Sequence, residues 1–149
     1  MGLLQWLWRG PPQGRGVIVG DGEFEFRVVG TMRHQFELER IAGARTRRGY
    51  HRKCAALLVR QPDNPFDRHA VAVVIGGIEV GFLDREDARD FGSILRASRF
   101  VDAACEAEIV GGWERAAEDR GYVGVRLNAC LPFRIVGAEE WYGERPRRE

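Results

Sequence analysis

Lysine is nearly missing from this chain. Of 23 basic residues in 149, Lys53 is the sole lysine and the rest are arginines. That scarcity excludes a Walker-type ATPase, whose phosphate loop needs a Gly-rich run ending in Lys-Ser or Lys-Thr. Pro62-Asp63 could open a metal-dependent nuclease motif, but such a motif needs a later acidic-x-Lys, and Lys53 lies upstream. Histidine and cysteine are also sparse, at three each. Cys54, Cys105 and Cys130 are odd in number, far apart and set in apolar runs, which fits buried thiols in a reducing cytoplasm. His51 and Cys54 are spaced to share a metal, but two further ligands are missing. No histidine stands beside a nucleophile or a carboxylate pair, so no catalytic constellation forms, and neither enzyme activity, metal nor cofactor is expected. Long apolar runs are absent too, which leaves no membrane span. Residues 1–8 (MGLLQWLW) are apolar but lack the basic start and small-residue cleavage site of a signal peptide.

What remains is one domain's worth of chain with 44% hydrophobic residues and a net charge of +1. That charge argues neither for nor against nucleic acid. Such an arginine skew fits a GC-rich genome, so single arginines say little and only their clustering informs. One cluster stands out. Arg33, Arg40, Arg45, Arg47, Arg48, Arg52 and Lys53 are countered within that span only by Glu37 and Glu39, leaving five net positive charges. This can neutralise several phosphates and make binding salt-sensitive, or it can be a solvated loop.

The most informative segment is residues 60–83, RQPDNPFDRHAVAVVIGGIEVGFL. Pro62, Asp63, Asn64 and Pro65 each disfavour regular structure, so residues 62–67 form a tight loop. Residues 70–75 and 78–83 read as a hairpin, because Gly76-Gly77 supplies the positive φ values of a two-residue turn. Asp84 caps a helix whose face carries Ala88, Phe91 and Leu95. Phe24, Phe26 and Val28 alternate with polar residues as in a half-buried strand. Residues 35–42 suggest a short helix, and residues 53–61 a strand. Residues 103–109 and 123–131 alternate as two further strands, joined by a polar connection over 111–121. About six strands with two short helices make a mainly β, α+β chain that favours a small six-stranded barrel. Residues 1–22 read as a flexible extension, 23–136 as the barrel and 137–149 as a charged tail, mobile over 141–149.

Phe66 and Asp67 leave the loop together, an aromatic face beside a carboxylate. Single-strand binders combine a positive groove with aromatic platforms, for which Phe66 is the first candidate and Phe82 the second. Both can equally be core residues. A carboxylate beside a strand repels phosphates, so Asp67 in a basic site calls for a hydroxyl: a free 3′-OH satisfies it and a 3′-phosphate clashes. Capping of the loop's own amides is an equal alternative.

The strand at residues 57–60, the PDNPFD loop, the Ala-Val strand, and Val80-Gly81-Phe82-Leu83, preceded by Val28-Val29-Gly30, resemble the HIRAN domain, over about residues 24–133. The resemblance implies an OB-like barrel that binds single-stranded DNA ends within repair and fork-remodelling proteins. Carried over by motif, the contacts are Met32, Arg33, Phe66, Asp67, Phe82 and Arg85, with Arg45, Arg47, Arg48, Arg52 and Lys53 as phosphate holders. The chain departs from the pattern at four of these. Met32 stands where a basic residue occurs, Arg33 where an aromatic is common, Phe66 for a frequent Tyr, and Phe82 for Tyr or His. The expected partners are single-stranded DNA or DNA 3′ ends, with a separately encoded helicase or nuclease, for a monomer in the nucleoid-bearing cytoplasm. The alternative is a protein-interaction module docking through a Trp6/Trp8 tip or an exposed strand edge.

Overall fold

Two long strands organise the chain, of which the computed structural model describes residues 14–144. β3 (Tyr50–Arg60) and β6 (Asp102–Gly111) pair antiparallel from Tyr50↔Gly111 to Leu58↔Ala103. On β6, Ala103, Cys105, Ala107 and Ile109 are buried while Glu106 and Glu108 between them are partly exposed, the period-2 pattern the sequence shows. β4 (Val71–Ile75) pairs with β3, and β5 (Ile78–Phe82) with β4. Gly76 and Gly77 have φ of 60° and 79°, as a type I′ hairpin turn requires. On the other flank, β9 (Val123–Leu127) pairs with β6, and β2 (Phe26–Arg27) with β9.

The chain leaving β2 then crosses to β5. Val29 and Phe82 exchange two backbone hydrogen bonds, of 2.9 and 2.8 Å. That bridge brings the first strand onto the last, so β2-β9-β6-β3-β4-β5 curl into a partly open, OB-like barrel. Gly81 makes the approach possible, because a Cβ there would lie 2.6 Å from both Val28 Cγ1 and the Val29 carbonyl oxygen.

Two helices seal this barrel. α2 (Arg85–Arg96) starts where the Asp84 carboxylate accepts the Glu86 amide at 3.0 Å, and it buries Ala88, Phe91 and Leu95. The Phe91 ring meets Phe133 edge-on at 5.7 Å, and Phe133 packs on Phe26 at 5.5 Å. α1 (Gln35–Ala42) follows a 3-10 turn (Thr31–His34) and buries Leu38. Its Gln35 amide acts as a strand partner: Nε2 donates to the Val123 carbonyl and Oε1 accepts the Val123 amide, both at 2.8 Å. This clasp fixes the 3-10 turn to the start of β9.

The ends of the domain differ from the sequence expectation. Residues 15–18, placed in a flexible extension, form β1 (Arg15–Ile18), parallel to β6 and antiparallel to β10 (Ile135–Val136). Residues 138–144, placed in a charged tail, form a third helix, α3 (Ala138–Glu144). Its Trp141 is buried against Val17, Ala55, Ala104 and Val136 in a small second core on the outer face of the sheet. Ala55 and Ala104 are small outward-facing residues that leave room for the indole. The polar connection over 111–121 contains a ribbon of β7 (Glu114–Ala116) and β8 (Asp119–Arg120). β9 stops at Leu127 instead of running to 131; Asn128 after it still donates its amide to the Glu106 carbonyl at 2.8 Å, and its side chain accepts the Gly22 amide at 2.8 Å. The Trp6/Trp8 tip lies outside the described residues. Among the described residues no helix is long and apolar enough to cross a membrane.

Candidate nucleic-acid interface

The PDNPFD loop is shaped by one side chain. Asn64 Oδ1 accepts the backbone amides of Phe66 at 2.9 Å and Asp67 at 3.2 Å, an Asx-type arrangement that locks the turn. Asn64 Nδ2 donates to Gln61 Oε1 at 3.0 Å, and Gln61 Nε2 donates to Glu79 Oε1 at 2.8 Å on β5. His34 Nε2 lies 3.6 Å from the other Glu79 oxygen, so the chain of polar contacts runs from the loop to the 3-10 turn. With the loop held on its polar side, the Phe66 ring has no core to enter and stands 89% exposed.

Between the loop, the 3-10 turn, β5 and the start of α2 lies an open cleft of about 850 Å³. Five residues singled out by sequence line it: Arg33, Phe66, Asp67, Phe82 and Arg85. Phe82 is half-buried in its wall, tied through its backbone to Val29. Met32 is exposed on the same 3-10 turn but does not line the cleft.

Asp67 serves the loop with one oxygen and faces a cation with the other. Oδ1 accepts the His69 amide at 2.9 Å, and Oδ2 lies 3.6 Å from Arg85 Nε. The His69 amide bond, helped by the Arg85 guanidinium and opposed by partial desolvation, holds the carboxyl below its ordinary range. A lowered folded value means the cap's contribution is complete above about pH 4 and is lost as pH falls through the lowered pKa. Asp67 is therefore an anion at neutral pH. The capping role and a second carboxylate oxygen beside Arg85, on a residue that lines the cleft, coexist in one side chain.

The basic loop behaves differently. Arg45, expected to hold phosphate, pairs with Glu39 through Nε and Nη2 and donates from Nη1 to the Gly121 carbonyl at 2.8 Å. It ties α1 to the β8–β9 connection. Lys53 Nζ lies 3.0 Å from Glu108 and 3.3 Å from the centre of the Phe24 ring, so its charge is already partnered. Arg52 donates to the Ala42 carbonyl at 3.4 Å. Arg47 and Arg48 are exposed in the 46–49 turn. All five sit at or before the Tyr50 end of β3, and eight residues separate Arg52 from Arg60, roughly 26 Å of strand. They do not join the cleft. Arg45→Gln is accordingly expected to cost about 1–2 kcal/mol of stability while leaving oligonucleotide affinity within roughly twofold, read by denaturant titration beside anisotropy.

His34, Gln61 and Glu79 were missed by sequence reasoning. Glu79, a lone carboxylate on a hairpin strand, was the available signal, but only the β4–β5 register places it beside Gln61. With Asp67 and Asp84 it gives the cleft three carboxylates against the two guanidinium groups of Arg33 and Arg85. The cleft is thus no uniformly basic groove; it sets an exposed ring beside charges of both signs. Cys54 is pushed up to about 11 and Cys105 is raised further, both by burial, so neither offers a thiolate. Among the described residues no cluster of metal-ligating side chains forms.

No family model and no curated protein matches the chain. Among solved structures the chain is similar to the HIRAN domain of human HLTF, at 20% identity over 87% of this chain and 86% of that one, with a TM-score of 0.35. A likeness of that degree carries no weight for the site, whose reading stands on the contacts above.

Proposed function

We propose that the protein binds single-stranded DNA without acting on it chemically, seating the strand's 3′ end in the cleft. The observation that carries this reading is the Phe66 ring, held 89% exposed by a locked loop beside an ionised carboxylate and two guanidinium groups. Of the exposed rings among the described residues this is the one that stands at the cleft, where a base can stack on it for about 1–3 kcal/mol. Phe82 forms the wall beside that base. Arg33 and Arg85 hold the nearest phosphate oxygens, and the free lone pairs of Asp67 Oδ2 accept the terminal hydroxyl. The sequence resemblance to HIRAN domains points the same way, toward repair or fork processing with a separate enzyme supplying catalysis.

Stacking on Phe66 needs an unpaired base, so single strands are expected to bind more tightly than their duplexes. Anisotropy of one labelled oligonucleotide, alone and annealed, at low and moderate salt, tests this. Tighter duplex binding, or no binding at low salt, contradicts the reading.

A further inference from the structure

A second concavity lies on the other side of the same loop. It occupies about 580 Å³ between the loop and α2, and its lining includes Arg60, Arg68, His69, Gly92, Arg96 and Asp102. Residues 64–67 face the cleft, and residues 68 and 69 face this trench. The loop is the ridge between them.

Its charge is the reverse of the cleft's. Three guanidinium groups line the trench, and no carboxylate among the described residues pairs with any of them. Asp102 is the single lining carboxylate, and Arg15 already forks it at 2.9 and 3.2 Å. Arg96 Nη2 donates to Ser93 Oγ at 3.2 Å, and Arg68 Nε donates to His69 Nε2 at 3.4 Å. Arg60 Nε is buried with no hydrogen-bond partner, the one such side-chain atom among the described residues. Buried donors are nearly always satisfied, so an orphan guanidinium N–H on an arginine that lines a cationic hollow marks a side chain whose partner is missing, and an incoming anion can supply one to the guanidinium. Gly92 marks where the two arginines converge: a Cβ there would lie 3.3 Å from Arg96 Nη1 and 3.8 Å from Arg60 Cδ.

We infer that the trench is a phosphate-binding site formed by Arg60, Arg68 and Arg96, and that it takes a backbone phosphate of the strand whose end lies in the cleft. This second clause rests on the proposed function. Together the two hollows divide the labour: the carboxylate-rich cleft takes the hydroxyl terminus, and the trench supplies the cationic charge that the cleft lacks. Free inorganic phosphate is the other source of the same chemistry.

The test uses the full chain with Arg60→Gln, Arg68→Gln and Arg96→Gln. Arg68 and Arg96 are exposed, so their variants fold even where Arg60→Gln does not. Two probes are used: inorganic phosphate against chloride at constant ionic strength, read by unfolding midpoint, and a labelled 3′-OH oligonucleotide titrated across salt. The expected result is a phosphate-dependent rise in the wild-type midpoint, lost in Arg96→Gln. The slope of log affinity against log salt should also fall by about one in Arg68→Gln and in Arg96→Gln. An unchanged slope in these variants together with no phosphate effect on the wild-type midpoint, while the wild type still binds the strand, overturns the trench and leaves the cleft reading standing. Phosphate stabilisation with strand binding untouched overturns the backbone assignment and marks a free-anion site. No strand binding by the wild type overturns the cleft reading and the backbone assignment together.

Discussion

Phe66→Ala is expected to weaken single-strand binding by roughly 5- to 150-fold, the equivalent of losing one stacked base at about 1–3 kcal/mol. The unfolding midpoint should not move. The ring is 89% exposed, so removing it returns no buried surface to water, and substitutions at such positions change stability by about 0.5 kcal/mol or less. The loop keeps its shape because Asn64 holds it by the backbone amides of residues 66 and 67, which alanine retains. Affinity lost at constant stability separates a ligand platform from a structural aromatic. Phe66→Tyr, which keeps the ring, should restore most of the binding. If Phe66→Ala binds as well as the wild type, the ring is not a platform.

Gly81→Ala is expected to act in both readouts at once. Its new methyl would press on Val28 Cγ1 and on the Val29 carbonyl, each 2.6 Å from an ideal Cβ. The carbonyl is backbone and cannot rotate away, so the strands must separate at the Val29–Phe82 bridge that closes the barrel. Overpacking of this kind costs about 1–3 kcal/mol, and each kcal/mol lowers the midpoint by about 2–4 °C in a chain of this size. Val29 and Phe82 both line the cleft, so the same displacement should weaken strand binding. Calorimetry and anisotropy on one preparation check the coupling. A destabilised variant with full affinity would show that the bridge does not shape the cleft.

Local signals read correctly from sequence are those whose cause is local. Gly76-Gly77 sets the hairpin turn, Asp84 caps α2, and Asn64 shapes the loop through amides two and three residues away. What was not legible depends on distant partners. Trp141 looks like part of a charged tail until Val17, Ala55 and Ala104 are brought beneath it. Arg45 and Lys53 look like free cations until folding delivers Glu39, Gly121 and Glu108 to them. For the site, five of the six carried-over contacts converge because they flank one bridge and one loop, whereas of the basic cluster only Arg33 lines the cleft, and Arg45, Arg47, Arg48, Arg52 and Lys53 lie at or before the Tyr50 end of β3. The charge of the cleft was misjudged for the same reason. Glu79 and Asp84 reach it only through strand pairing and the start of α2, and counting arginines along the chain does not find them.

The central claim is that the cleft holds a hydroxyl end beside an ionised Asp67. The most direct measurement compares labelled oligonucleotides ending in 3′-OH and in 3′-phosphate, bound to wild type and to Asp67→Asn. Asparagine keeps an oxygen to accept the His69 amide, so the loop persists while the charge is removed. The wild type should prefer the 3′-OH strand by about tenfold, the equivalent of ~1.4 kcal/mol of avoided like-charge contact, and Asp67→Asn should bind both ends alike. Equal wild-type affinity for the two ends, unchanged in Asp67→Asn, would contradict the account.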